Sequence, residues 1–314
     1  MRAAFIKALA GLAERDPRVV LLTGDLGYMA IEPFATRFPK RFFNVGVAEQ
    51  NMVSLATGLA ESGFIPFAYS IVPFITLRPY EFIRNGPIQH RLPVRLVGVG
   101  GGFEYGTNGL SHYGLEDLGV MRIHPGMTVI APADHQQAQA AILATWDLPG
   151  PIYYRLGKDD KTTVPGLEGR FELGRVEVLQ EGNDALIVTV GNLAGEALRA
   201  AQILAAESIS ARVILVSSFN PAPVEDLAQH MALFEVVVTA EAHFVVGGLG
   251  SLVCETAAEC GIATRVVRCG VKSCSDGISG NQQFLHGRHG LSGQEIAAAT
   301  LRVLRNSTSW ASKS

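Results

Sequence analysis

The sequence is short of cysteine and of positive charge, and it lacks any long apolar run; each shortage removes a class of protein. Its four cysteines, Cys254, Cys260, Cys269 and Cys274, form no Cys-x-x-Cys pair and have no histidine at zinc-finger spacing. A disulfide framework is therefore not expected, and free thiols in a reducing, cytoplasmic setting are. Lysine plus arginine number 26 against 29 aspartate plus glutamate, for a net charge of −3, so no polyanion-binding face and no nucleic-acid partner is expected. No stretch reaches the roughly 18 apolar residues of a membrane helix, and no membrane association is expected. The first dozen residues, with Phe5, Leu9 and Leu12 at helical spacing around Arg2 and Lys7, read as an opening helix of the fold rather than a targeting segment.

What is present points to two α/β domains. Of 314 residues, 48% are hydrophobic and 18% charged, enough to fill sizeable cores, and this length favours two domains. Short β-branched runs at 19–23, 42–47, 64–69, 94–99, 127–130 and 152–154 alternate with helical stretches, among them 49–62, 74–89 and 134–146. That alternation predicts parallel βα units and a doubly wound sheet. The segment 157–171, rich in charge, proline and glycine, interrupts the pattern and reads as a linker. Beyond it, runs at 171–179, 185–190, 211–216, 236–240 and 265–268 predict a second, smaller doubly wound domain closed by a helix near 294–305, with a frayed polar tail from Asn306. The domains are thus expected at 1–160 and 172–314. In such sheets ligands sit beyond the carboxyl ends of strands, so informative residues should follow strands directly.

Several do. Glu49 opens a helix immediately after an apolar strand, which puts one carboxylate at a strand end beside a helix N-terminus. Asp25 follows the first strand. His112 ends a glycine-rich loop, Gly106-Thr107-Asn108-Gly109-Leu110-Ser111-His112, and histidine titrates near neutrality. Arg155 ends the run Gly150-Pro151-Ile152-Tyr153-Tyr154-Arg155.

The stretch Arg37-Phe38-Pro39-Lys40-Arg41-Phe42-Phe43-Asn44-Val45-Gly46-Val47-Ala48-Glu49-Gln50-Asn51 closely resembles the pyrimidine-domain signature of transketolases and deoxyxylulose-phosphate synthases. The likeness implies that Glu49 activates thiamine diphosphate. A carboxyl group hydrogen-bonded to a pyrimidine ring nitrogen shares a proton with it, while the cofactor supplies the carbon chemistry. The segment Ile71-Val72-Pro73-Phe74-Ile75-Thr76-Leu77-Arg78 resembles the family's aromatic segment, in which Phe74 stacks on the aminopyrimidine; Ile71 stands where a second aromatic is usual. Asp25-Leu26 matches a turn near the cofactor. By the same resemblance His112 moves protons on substrate oxygens, Asn108 stands for a usual aspartate at the substrate, Arg155 binds a sugar phosphate, and Arg78 reaches a substrate phosphate or the partner chain. Glu241-Ala242-His243 and Gly247-Gly248-Leu249-Gly250-Ser251 match a family segment that is expected to serve packing.

The family also needs a diphosphate-binding domain, marked by G-D-G and later asparagines that hold Mg2+ or Ca2+. Gly24-Asp25-Leu26-Gly27 does not fit that mark. The resemblance therefore implies half of a divided transketolase: no metal on this chain, a partner chain carrying the G-D-G half, a heterotetramer with two sites, and ketol transfer from a sugar to an aldehyde. Three alternatives stand beside it: a deoxyxylulose-phosphate-synthase-like half, the beta subunit of a 2-oxoacid dehydrogenase, and a non-catalytic dimerisation partner.

Overall fold

Five-residue runs such as Val19–Thr23 and Ile152–Leu156 are buried at every position, which is how strands covered by helices on both faces must read. The structure, a computed structural model, describes residues 1–274 and 277–311. Its strands are β1 (Val19–Thr23), β2 (Phe42–Asn44), β3 (Ile65–Ile71), β4 (Arg95–Val99), β5 (Thr128–Ile130), β6 (Ile152–Leu156), β7 (Val176–Gln180), β8 (Ala185–Thr189), β9 (Ala211–Val216), β10 (Ser218–Asn220), β11 (Val236–Phe244) and β12 (Arg265–Val271).

They form two sheets, ordered β10-β5-β6-β4-β3-β1-β2 and β12-β11-β8-β9-β7. Neighbours run parallel, except that β10 is antiparallel to β5 and β7 to β9. The chain steps outward from β1 to β2, then returns to the other side of β1 to lay down β3. That reversal of direction opens a crevice at the carboxyl ends of β1, β2 and β3. The helix Glu49–Glu61 starts beside it and packs on the sheet, burying Met52, Val53, Ala56 and Ala60 along one face.

Three features depart from the sequence expectation. The helix expected over 74–89 is broken into Val72–Thr76, Tyr80–Ile83 and a π-helical turn at Arg84–Ile88, because Pro79 and Pro87 cannot donate the backbone hydrogen bonds of a continuous helix. Strand β10 leaves its own half of the chain and pairs with β5, Ser218 opposite Ile130, so the first sheet is completed from beyond the linker. The terminal helix, Gly293–Ala311, runs past the expected 294–305, and residues 312–314 lie outside those described.

The two halves also share a buried polar junction, and Arg155, expected at a sugar phosphate, is part of it. Its side chain is only 5% exposed. Its Nε donates to Asp117 at 2.8 Å, and one terminal nitrogen donates to the carbonyls of Gly114 and Ala242 at 2.7 and 3.0 Å. Tyr153 donates its hydroxyl to the same Asp117 oxygen at 2.7 Å. Through these bonds Arg155 ties the first sheet to β11. Around it Glu241 accepts from the backbone N–H groups of Leu249 and Gly250 at 2.6 and 2.8 Å, and burial pushes its carboxyl up to about 7. His243 accepts from the N–H of Gly119 at 3.2 Å. These bonds pack the Glu241–Ser251 segment against the first half of the chain at His243. Replacing Asp117 with alanine leaves the Arg155 guanidinium buried without its partner and is expected to cost about 3–5 kcal/mol in urea unfolding; a loss below about 1 kcal/mol would show that the junction is not held by this pair.

Candidate cofactor and substrate site

At the carboxyl edge of the first sheet, four strand ends deliver the chemistry. After β1 the chain turns at Gly24 and Asp25, the latter at φ 58°, a left-handed conformation that aspartate tolerates better than most residues. After β2 it turns at Asn44–Gly46 and enters the helix at Glu49. Asn44 locks these two turns together: its side-chain oxygen accepts from the N–H groups of Asp25 and Gly46 at 3.0 and 3.1 Å, and its amide donates to the Asp25 carboxylate at 3.0 Å. Hydrogen bonds from Asn44 and Tyr28 hold the Asp25 carboxyl below its ordinary range. A Cβ added at Gly24 would sit 3.3 Å from the Gly46 carbonyl and 3.7 Å from the Glu49 carboxylate, so the two turns close directly on that group.

Glu49 is 2% exposed, and its carboxylate accepts from Arg78 at 2.9 Å. Arg78 and Phe74 come from the broken helical segment after β3. The guanidinium carbon of Arg78 lies 3.7 Å from the centroid of the Phe74 ring, at stacking distance. His112, from the loop after β4, meets the same ring edge-on at 5.0 Å. Its Nδ1 lies 3.0 Å from the Ser111 hydroxyl. Burial, helped by the Arg78 charge, pushes the His112 pKa below the ordinary imidazole value. Glu49, Arg78, Phe74 and His112 therefore form one contiguous row along the crevice.

The remaining expected residues are placed less tightly. Ile71, half-buried, ends β3 opposite Val99. Leu26, half-buried, packs against the core that also holds Phe34 and Tyr69, and its carbonyl accepts from the Thr23 hydroxyl. Asn108 is exposed on the rim beside Thr107. Of the loop glycines, Gly106 lies so close to the second half of the chain that a Cβ would come within 2.4 Å of the Gly280 carbonyl, whereas Gly109, at φ 81°, borders open space. The close approach at Gly106 serves packing of the loop rather than a ligand. Asn44, whose clamp on both turns sequence reasoning missed, sits inside the motif that flagged Glu49; only its position between two strand ends could have marked it.

This geometry, a buried carboxylate beside a reachable aromatic face where the strand order reverses, fits a heteroaromatic cation held by stacking and one charged hydrogen bond. Residues 1–162 match the family described as transketolase, pyrimidine binding domain, and residues 174–296 match transketolase, C-terminal domain. The chain belongs to the transketolase family, as the half built from these two domains. It is 35% identical over 308 residues to the putative transketolase C-terminal section of Methanocaldococcus jannaschii, covering 97% of this chain and 96% of that protein. To the 6-deoxy-6-sulfo-D-fructose transketolase subunit SqwH of Clostridium sp. (strain MSTE9) it is 35% identical, over 96% of this chain and 94% of that one. A solved structure described as a split gene transketolase, inactive beta4 tetramer, superposes with a TM-score of 0.85 at 38% identity over 97% of each chain. The chain is a subunit of a transketolase of the split kind.

With its charged form disfavoured, the imidazole of His112 is expected to be neutral at pH 7. In a histidine-resolved NMR titration its midpoint should fall below 6.5 and rise when Arg78 is replaced by glutamine. A midpoint at or above 6.5 in the unchanged protein would contradict the packing described for it.

Proposed function

We propose that this chain is the pyrimidine-side subunit of a thiamine-diphosphate-dependent transketolase, which moves a two-carbon ketol unit from a ketose or its phosphate to an aldehyde acceptor. The observation that carries the proposal is Glu49: a carboxylate buried to 2% exposure at the start of the helix after β2, bridged by Arg78 to the ring of Phe74. The family implies the cofactor, and the residues fit it. Glu49 would hold the pyrimidine ring and share its proton, Phe74 and Ile71 would flank the ring, and the turn at Asp25 would border it. When bound, the cofactor supplies the nucleophilic carbon that accepts the ketol unit. His112, neutral and with its ring edge on Phe74, takes or returns a proton on a substrate hydroxyl; Asn108 hydrogen-bonds a substrate oxygen without carrying charge.

The partner is the second part of the proposal. A chain carrying the diphosphate-binding domain holds Mg2+ or Ca2+ and the diphosphate, and two copies of each chain form a heterotetramer with two sites. Exposed apolar side chains support a covering chain at this edge: Tyr28 and Met29 after β1, Val47 after β2, Leu77 after β3 and Leu110 after β4 ring the crevice, at 67, 96, 70, 40 and 57% exposure. The solved relative described as a beta4 tetramer without activity is in keeping with a need for the other half. The thiols of Cys254, Cys260 and Cys269, held in no disulfide, favour a cytoplasmic setting.

Mixing the chain with its partner, thiamine diphosphate and Mg2+ should yield glycolaldehyde transfer from a ketose, and Glu49→Ala should lower that rate by about 10²–10⁴-fold, the range of a lost proton-transfer group. Near-normal turnover by Glu49→Ala would sink the assignment. Condensation of pyruvate with an aldehyde phosphate instead of ketol transfer would favour the synthase; a synthase from Syntrophotalea carbinolica is 35% identical over 96% of this chain, which spans 48% of that protein.

A further inference from the structure

We infer that Arg78 is an internal competitor for the pyrimidine site: its guanidinium occupies the face of Phe74 and the carboxylate of Glu49 that the cofactor ring needs, and its displacement sets how tightly the cofactor binds. The inference rests on the cofactor reading above and assigns Arg78 a role different from a substrate or partner contact.

The chemistry of the two groups is matched. A guanidinium is a flat, delocalised cation whose N–H donors lie in its plane, and it stacks on aromatic faces. A protonated aminopyrimidine is also a flat cation, with a ring N–H and an amino group in its plane. Arg78 makes both contacts that such a ring would make. It lies 3.7 Å above Phe74, the separation of two stacked planes, and it donates to Glu49 Oε1 at 2.9 Å. One aromatic face and one carboxylate edge do not accept both occupants at once.

Arg78 is also the charge partner that Glu49 has in this arrangement. A carboxylate 2% exposed needs a positive or hydrogen-bonding partner, because burial of an unpaired charge is strongly unfavourable. The guanidinium meets that need from a segment broken by prolines, and the Arg78 side chain remains 39% exposed. It can therefore swing outward without disturbing the core. The exchange replaces one planar cation on Glu49 by another, so the carboxylate keeps a partner through it. The same swing takes a positive charge away from His112, whose pKa the guanidinium helps to depress.

The quantitative consequence follows from competition. If the guanidinium holds the site about nine-tenths of the time, the apparent dissociation constant of the cofactor is about tenfold above its intrinsic value. Removing the guanidinium both frees the face and leaves Glu49 in want of a cation; both effects favour the cofactor.

The test is isothermal titration of thiamine diphosphate, with Mg2+, into the two-chain complex bearing wild-type, Arg78→Ala or Arg78→Lys subunits. Arg78→Ala is expected to bind about 3–10-fold more tightly than wild type. Arg78→Lys, which can pair with Glu49 but has no flat face to lay on Phe74, should fall between them. The lysine variant keeps a cation beside Glu49, so the comparison survives even if the alanine variant fails to fold. Unchanged or weaker binding by a folded Arg78→Ala complex, or binding by Arg78→Lys no tighter than wild type, overturns the inference. A wild-type complex that binds no cofactor at all would instead overturn the functional reading.

Discussion

A carboxylate shut away from water must be neutral, paired or richly hydrogen-bonded, and the crevice of this protein is arranged around one such group. Glu49 needs a strand end to carry it inward, a helix start to fix its direction, and a flat cation to answer it. Strand β2 and the helix Glu49–Glu61 meet the first two needs. The third is met by whatever lies on Phe74, and the segment after β3 supplies both that ring and a guanidinium. The turns at Gly24 and Asn44 close around the carboxylate so that its surroundings, not its own mobility, decide its partner. On the proposed reading, function in this half of the enzyme is a matter of exchanging one cation for another at a fixed anion.

Much of this was legible in the sequence because it is local. A run of apolar residues followed at once by Glu49 states the strand-to-helix junction directly, and Phe74 and His112 likewise follow strands β3 and β4. The parallel order of alternating strands and helices could be read from periodicity, and the comparisons with known proteins agree with the two-domain α/β class it implied. What failed was non-local. Arg155 sits on the expected strand, but its partner Asp117 lies 38 residues earlier on a helix that the pattern did not announce, so the pairing could not be read. Leu26 stands in the turn after β1, yet it packs partly against a core whose other members lie far along the chain. The break in the helix over 74–89 was written in Pro79 and Pro87 and outweighs the helical periodicity around them.

The glycines of the loop after β4 carry a similar lesson. Their density suggested a backbone brought close to a ligand, and at Gly109 the chain does run past open space. At Gly106 the missing side chain instead lets the Gly280 backbone approach. One loop thus faces a crevice on one side and the second half of the chain on the other. The placement of His112 depends on both contacts, which explains how a domain without an evident reacting group bears on the site.

Strand β10 gives the architecture a property beyond catalysis. Because Ser218–Asn220 completes the first sheet from the far side of the linker, a cut between the two sequence domains would bare the edge of β5 and leave its backbone N–H and C=O groups unpaired. An unprotected sheet edge invites pairing with another molecule. The domains can therefore not be shuffled as independent modules: recombination at the linker would produce a fragment with a sticky sheet edge.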